Sequence, residues 1–142
     1  MNRSIRIFID SDVIISSLLS KFGVSHALVT KTNLQAFISN ISHKELKLVA
    51  KRLKISQTLL ENLVKNKLKQ VNLGKDLKAT KSQYKAYTTD QNDTHVVTGA
   101  LKANAQFLIT YNLRDYKTDK IKQDFGIICL TPGQFLQYLR SL

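Results

Sequence analysis

Ten Asp and Glu residues stand against 22 Lys and Arg in this chain of 142 residues, so the placement of each acid is informative. Asp10 and Asp12 close an apolar stretch, Arg3 to Asp10, in which Ile5, Ile7 and Ile9 alternate around Phe8. Such a stretch reads as a buried strand with its carboxylates just past the C-terminal end. Asn112 and Asp115 follow a second apolar run ending at Thr110, and Asp93 opens the helix that leads into that run. Glu45 falls about one turn into a helix after a third short run. Open parallel sheets bind ligands beyond the carboxyl ends of their strands. The acids can therefore meet at one sheet edge. Gathered there they repel one another and need a cation, and hard divalent ions such as Mg2+ or Mn2+ prefer oxygen donors. A site of this kind polarises a phosphodiester, activates a water, or does both across two ions about 3.5–4 Å apart.

Several of these residues have a plain structural alternative. Ser42-His43-Lys44-Glu45 matches a capping box, in which Glu45 only caps its helix. Asp90 and Asp93 fit a cap followed by a first-turn acid that favours the helix dipole, and Asp115 fits a loop or cap. Asp10 resists such a reading, because a charge ending a buried strand is costly unless paired or ligated. His95 lies on the Asp93 helix and either lines the pocket or packs on the helix surface, the commoner role. His26 and His43 show no ligand spacing. Tyr84 and Tyr87 flank Lys85, placed either to stack on bases or to pack a lysine-rich segment onto the core. Cys129, the one cysteine, falls in an apolar run as a small core residue. It excludes an intramolecular disulfide and suits a reducing cytoplasm. No CxxC or Cys/His cluster supports a thiolate zinc site, and no Gly-rich phosphate loop or Ser/His/Asp arrangement is present.

The elements that must hold these groups follow from periodicity. Strands are expected at Arg3 to Asp10, Gln35 to Ile38, Phe107 to Thr110 and Gly126 to Leu130. Helices are expected over Val13 to Leu19, 24–32, from Ser39, Asn40 or Ser42 through Ala50, 56–70 with Gly74 as its stop, Asn92 to Ala103, and from Thr131-Pro132 onward. Strands alternating with helices predict an α/β sandwich with a mostly parallel sheet, in a single domain over 1–142. The formal net charge is +12. Residues 44–85 carry twelve of the basic residues and only Glu45, Glu61 and Asp76 as acids. Such a stretch is either a set of solvated helix faces or an attractor for a polyanion, nucleic acid being the commonest. Lys65, Lys67, Lys69, Lys78, Lys81 and Lys85 are the candidate RNA contacts. Two carboxylates inside the apolar opening, Ile5 to Leu19, argue against a signal peptide or membrane span there, which implies a cytoplasmic protein.

With these residues in view, the chain resembles the PIN domain family, and within it the toxin-like ribonucleases of bacterial toxin–antitoxin systems. Four elements in order carry the likeness: Ile7-Phe8-Ile9-Asp10-Ser11-Asp12-Val13-Ile14-Ile15-Ser16; Ser39 to Glu45, an acid about two turns after a strand-ending serine; Asp90-Gln91-Asn92-Asp93 with its apolar helix; and Ile109-Thr110-Tyr111-Asn112-Leu113-Arg114-Asp115. The resemblance covers about residues 5–140. It implies a three-layer sandwich, catalytic Asp10, Glu45, Asp93 and Asp115, and metal held by Asp10, Asp93 and Asp115. Asp12, Ser16, Asp90 and Asn112 would support that site. It further implies Mg2+ or Mn2+, an RNA substrate, a cognate antitoxin and a homodimer. Two departures stand out: Asp12 where Asn or Ser is usual, and Asn112 where many members carry a fourth Asp. A PIN-like module that binds RNA or protein with a degenerate metal site is the alternative. Asp10-x-Asp12 also resembles haloacid-dehalogenase-type phosphatases, but the later Gly-Asp acidic pair of those enzymes is missing.

Overall fold

The computed structural model describes residues 4–31, 33–74 and 76–142. Arg3, Thr32 and Lys75, which the sequence reading places in a strand end, a helix end and the basic stretch, lie outside them. Five parallel strands form the central layer. β1 (Ile5–Ile9) is flanked by β2 (Leu34–Ser39) and β4 (Phe107–Ile109), while β3 (Lys69–Val71) and β5 (Ile128–Leu130) form the edges, in the order β3-β2-β1-β4-β5. β1 is the middle strand because both of its faces are apolar. Ile7 and Ile9 point into one core, with side chains of α1 (Ser11–Leu19), α2 (Val24–Val29), α3 (Asn40–Arg52), α4 (Gln57–Lys67) and α8 (Pro132–Arg140). Phe8 points into the other, against α6 (Thr94–Lys102) and α7 (Thr118–Phe125). This is the three-layer sandwich expected from the sequence. The order reverses between β1 and β4, which opens a crevice at their carboxyl ends.

Local chemistry sets the boundaries. Ser39 caps α3 by accepting from the Ser42 amide at 3.0 Å, so the helix starts before Ser42 and the Ser42–Glu45 capping box does not form. Thr131 and Gln134 make a reciprocal capping box on α8, with Pro132 in the first turn. Gly126, at φ +71, closes α7 in the left-handed conformation.

Three elements depart from the sequence expectation. α4 stops at Lys67 instead of running to 70, because Leu68 turns extended and drops into the core, after which Lys69–Val71 pairs with β2 as an edge strand. α5 (Leu77–Tyr84) forms under an Asp76 cap in the polar lysine-rich stretch, and a 3-10 turn over Lys85–Tyr87 follows. α7 buries only Ile121, and one anchor leaves too little periodicity to mark a helix. Tyr84 and Tyr87 pack with Phe125, the Tyr87 ring at 4.7 Å, and the Tyr87 hydroxyl donates to Asp124. They anchor the segment to the core. Cys129 is a buried core thiol, pushed up to about 12 by burial.

Candidate active site

The crevice between the ends of β1 and β4 is built around Asp10. Its backbone N–H donates to the Ile109 carbonyl at 2.9 Å, which locks the end of β1 to β4. The side chain then has nowhere to go but the crevice. Oδ1 accepts from the Ser11 amide at 2.8 Å and caps α1. Oδ2 accepts from the Thr110 hydroxyl at 2.9 Å and from the Tyr116 hydroxyl at 2.8 Å. Burial raises the Asp10 carboxyl above its ordinary range even though these three donors pull it down. The Tyr116 phenol is raised in turn, by burial and by the Asp10 charge beside it.

Asp12 sits two residues on, within the first turn of α1. Its Oδ2 accepts from the Tyr111 amide and from the Asn112 side-chain amide, both at 3.0 Å. Its Oδ1 is buried with no partner, as is the Ser11 hydroxyl. Burial, then the Asp10 charge, pushes Asp12 up to about 6. The Tyr111 hydroxyl pairs with buried Ser25, tying α2 to the loop after β4.

Asp93 enters from the other layer. A 3-10 turn over Gln91–Asp93 precedes α6, and Asp90 caps that turn by accepting from the Asn92 amide at 2.9 Å. Asp93 occupies the position just before α6 but makes no side-chain cap bond, so its carboxylate stays free. Burial pushes it up to about 6, helped by the charges of Asp10, Asp115 and Asp90. Asp115 follows a 3-10 turn over Leu113–Asp115, held where its carbonyl accepts from the Thr89 amide at 2.8 Å. An antiparallel bridge between Thr88 and Tyr116 fastens this loop to the approach to Asp90.

Glu45 reaches the site through His95, a buried residue of α6 whose Nε2 meets Glu45 Oε1 at 2.9 Å. His95 is therefore a partner of an acid and not surface packing. Asp10, Asp12, Asp93 and Asp115 converge at the crevice, and Glu45 lies at its flank. Ser16 lies half-buried further along α1. Thr110 and Tyr116 are the contacts that sequence reasoning did not assign, and His95, read as pocket-lining or surface packing, takes the first role. A buried threonine ending a strand and a tyrosine next to an acid were the available signals.

An all-oxygen set with an orphaned buried carboxylate oxygen suits a hard divalent cation. As the side chains stand, no group of three or more His, Cys, Asp or Glu among the described residues is gathered closely enough to hold one.

The lysines divide. Lys65 and Lys67 end α4, and Lys69, the first residue of β3, donates to Gln35 at 3.3 Å. Lys78 and Lys81 lie on α5 and Lys85 just after it, on the side of Asp90 and Asn92, and Lys81 donates to Asn92 at 3.0 Å. Among the described residues no helix is long and apolar enough to cross a membrane.

A family model described as PIN domain matches residues 6–114. Solved structures similar to this chain include a toxin-antitoxin complex from Klebsiella pneumoniae, at TM-score 0.65 and 18% identity, covering 89% of this chain and 97% of that one. VapBC-1 from nontypeable Haemophilus influenzae aligns at TM-score 0.61 and 17% identity, covering 91% and 99%. VapBC2 from Rickettsia felis, bound to a DNA fragment from its promoter, aligns at 0.60 and 15%, covering 89% and 98%. No curated protein matches the chain in sequence.

Proposed function

The chain belongs to the PIN domain family, and from that premise we propose that it is a metal-dependent endoribonuclease, the toxin of a toxin–antitoxin pair. The observation that carries the reading is the crevice itself. Four carboxylates, Asp10, Asp12, Asp93 and Asp115, face one sheet edge, where the Asp10 charge helps raise Asp12 and the Asp10 and Asp115 charges help raise Asp93, in a chain of net charge +12. Uncompensated, that crowding is a cost, and a bound cation together with an RNA phosphate would turn it into a function. Asp10, Asp93 and Asp115 are the proposed ligands of Mg2+ or Mn2+, and binding would draw them together from where they stand. A bound ion would make a coordinated water more acidic, ready for a general base to deprotonate, and would set positive charge against the phosphate oxygens.

The remaining work falls to the chain. Thr110 and Tyr116 fix the Asp10 carboxylate at the crevice. Asn112 and the Tyr111 amide hold Asp12 by one oxygen and leave the other buried without a partner. Asn112 thus acts as a positioning residue in place of an acid. His95 orients Glu45, which the proposal places as general base or outer ligand. The lysines of and after α5 receive the RNA backbone. A cognate antitoxin, a homodimer, a cytoplasmic location and one domain over 1–142 complete the proposal. The toxin–antitoxin complexes among the structural neighbours support the first of these.

The test is cleavage of structured and single-stranded RNAs by wild type and Asp93→Asn, with Mn2+, Mg2+ or EDTA. Metal-dependent cutting that falls at least a hundredfold in the variant is the expected result. A folded wild type that binds RNA in EDTA and never cuts would overturn it. That outcome would favour the second reading, a PIN-like module with a degenerate metal site, for which the engagement of Asn112 with Asp12 is the supporting observation.

A further inference from the structure

Beside Glu45 lies a cleft of about 200 Å³ that the acidic crevice does not use. Ile41 and Leu77 form its apolar sides, the Glu45–His95 pair closes one wall, and Thr80, Lys81 and Asn92 stand at its mouth. The volume equals that of about seven waters at roughly 30 Å³ each, room for one planar heterocycle. Its position is suggestive: Asp93 lies between Asn92 of the mouth and Thr94 of the wall. A ring seated here belongs to a nucleotide whose phosphate is at the carboxylates.

The hydrogen-bonding character of the mouth is one-sided. Lys81 Nζ has only protons to give, and it gives one to Asn92 Oδ1 at 3.0 Å. That bond engages the acceptor of the Asn92 amide and leaves its Nδ2 protons for another partner. The backbone N–H of Asn92 is spent on Asp90, and the hydroxyl protons of Thr80 and Thr94 are spent on the carbonyls of Asp76 and Gln91. Lys81 Nζ and Asn92 Nδ2 are the side-chain donors that remain there, while Glu45 across the cleft can only accept. A free asparagine amide pairs with the N6 donor and N7 acceptor of adenine, but here Lys81 already engages Oδ1 and adds a second donor beside Nδ2. Guanine presents two adjacent acceptors, O6 and N7.

The geometry points to this cleft as a guanine subsite that sets which RNA position is cut, with Lys81 and Asn92 as its specificity-determining residues. The inference rests on the ribonuclease reading of the neighbouring carboxylates.

The test uses a short fluorescein-labelled oligouridine carrying one central guanosine, inosine, 7-deazaguanosine or adenosine. Binding is read by anisotropy in EDTA, which separates it from cleavage. Guanosine and inosine, which share O6 and N7, bind wild type about tenfold more tightly than adenosine, within the range of one good bidentate contact. 7-Deazaguanosine, without N7, loses most of that advantage. Asn92→Asp and Lys81→Gln, with folding checked by circular dichroism, lose the guanosine preference, and Asn92→Asp moves toward adenosine. Equal affinity for guanosine and adenosine in wild type, or a preference that survives both variants, overturns the subsite. A second arm maps cutting of the same oligonucleotides in Mn2+. Cutting with no guanosine preference sinks the subsite and spares the nuclease. Guanosine-selective binding with no cutting at all sinks the nuclease and spares the subsite.

Discussion

A carboxylate at the end of a buried strand is tolerable only if something answers its charge, and Asp10 is answered by three donors that do not suffice. Ser11, Thr110 and Tyr116 all donate to it, yet burial still raises it, and its charge helps to lift Asp12 and Asp93 to about 6 from an ordinary 3.8. The sign of the pH dependence follows. Groups raised in the folded state hold protons more tightly there than in the unfolded chain. Their contribution to metal-free stability is fully present below about pH 4 and is lost as pH rises through about 6. Removing one of the charges should therefore stabilise the metal-free protein at neutral pH. Asp93→Asn is expected to melt a few degrees above wild type in EDTA at pH 7.5, with the gap closing by pH 4. Mn2+ should raise the wild-type melting temperature at pH 7.5 and leave the variant nearly unmoved. Thermal scans at the two pH values read both effects. Equal melting in EDTA at pH 7.5 would mean that Asp93 is not under charge strain.

At the scale of elements, the two halves of the site arrive from opposite layers and meet only because α6 lies close on β1. Gly99 makes that approach possible: a Cβ there would stand 2.5 Å from the Phe8 ring. Phe8 is fully buried at the centre of the sheet and has little room to yield. Gly99→Ala should therefore cost about 1–3 kcal/mol through overpacking, against which a helix-propensity gain of about 1 kcal/mol is only a partial offset. The melting temperature should fall by several degrees, and RNA cleavage should fall with it, because α6 carries His95 and starts at Asp93. Gly133→Ala, where a Cβ meets nothing within 4 Å, is the control and should not lower the melting temperature. A Gly99→Ala protein as stable as wild type would show that α6 can move away freely.

The same elements explain what was legible beforehand. Asp10, Asp93 and Asp115 were readable because strand ends and helix starts have strong local signals, an apolar run that stops or a cap pattern that begins. Thr110 and Tyr116 were not, because their bonds to Asp10 span about a hundred residues of sequence, and His95 stayed between pocket and packing because its partner, Glu45, lies on another helix. β3 and α7 escaped for a related reason. Each is short and contributes one anchor or none to the core, so tertiary pairing and not periodicity determines it.

Across the whole molecule the charge is distributed with a direction that composition alone does not reveal. The basic stretch over 44–85 reads as one block in sequence, but the chain folds it back on itself. Lys65 and Lys67 end α4, and Lys69 is turned toward Gln35 near the start of β2. α5 carries Lys78 and Lys81, with Lys85 just after it, and Lys81 stands beside Asn92 and Glu45. A polyanion drawn in by a net charge of +12 would be steered by every lysine, and the second group is expected to touch a strand whose phosphate lies at Asp10 and Asp93. Contact releases counterions and distant steering releases far fewer, so salt dependence separates the two groups. Changing Lys78, Lys81 and Lys85 to Gln should weaken single-stranded RNA binding and reduce the slope of log affinity against log salt by about 2, at roughly 0.7 per phosphate contact. The same change at Lys65, Lys67 and Lys69 should slow association at low salt and leave the slope nearly unchanged. If the slopes fall equally, the RNA also contacts the end of α4 and β3, and the binding surface is larger than the one around α5.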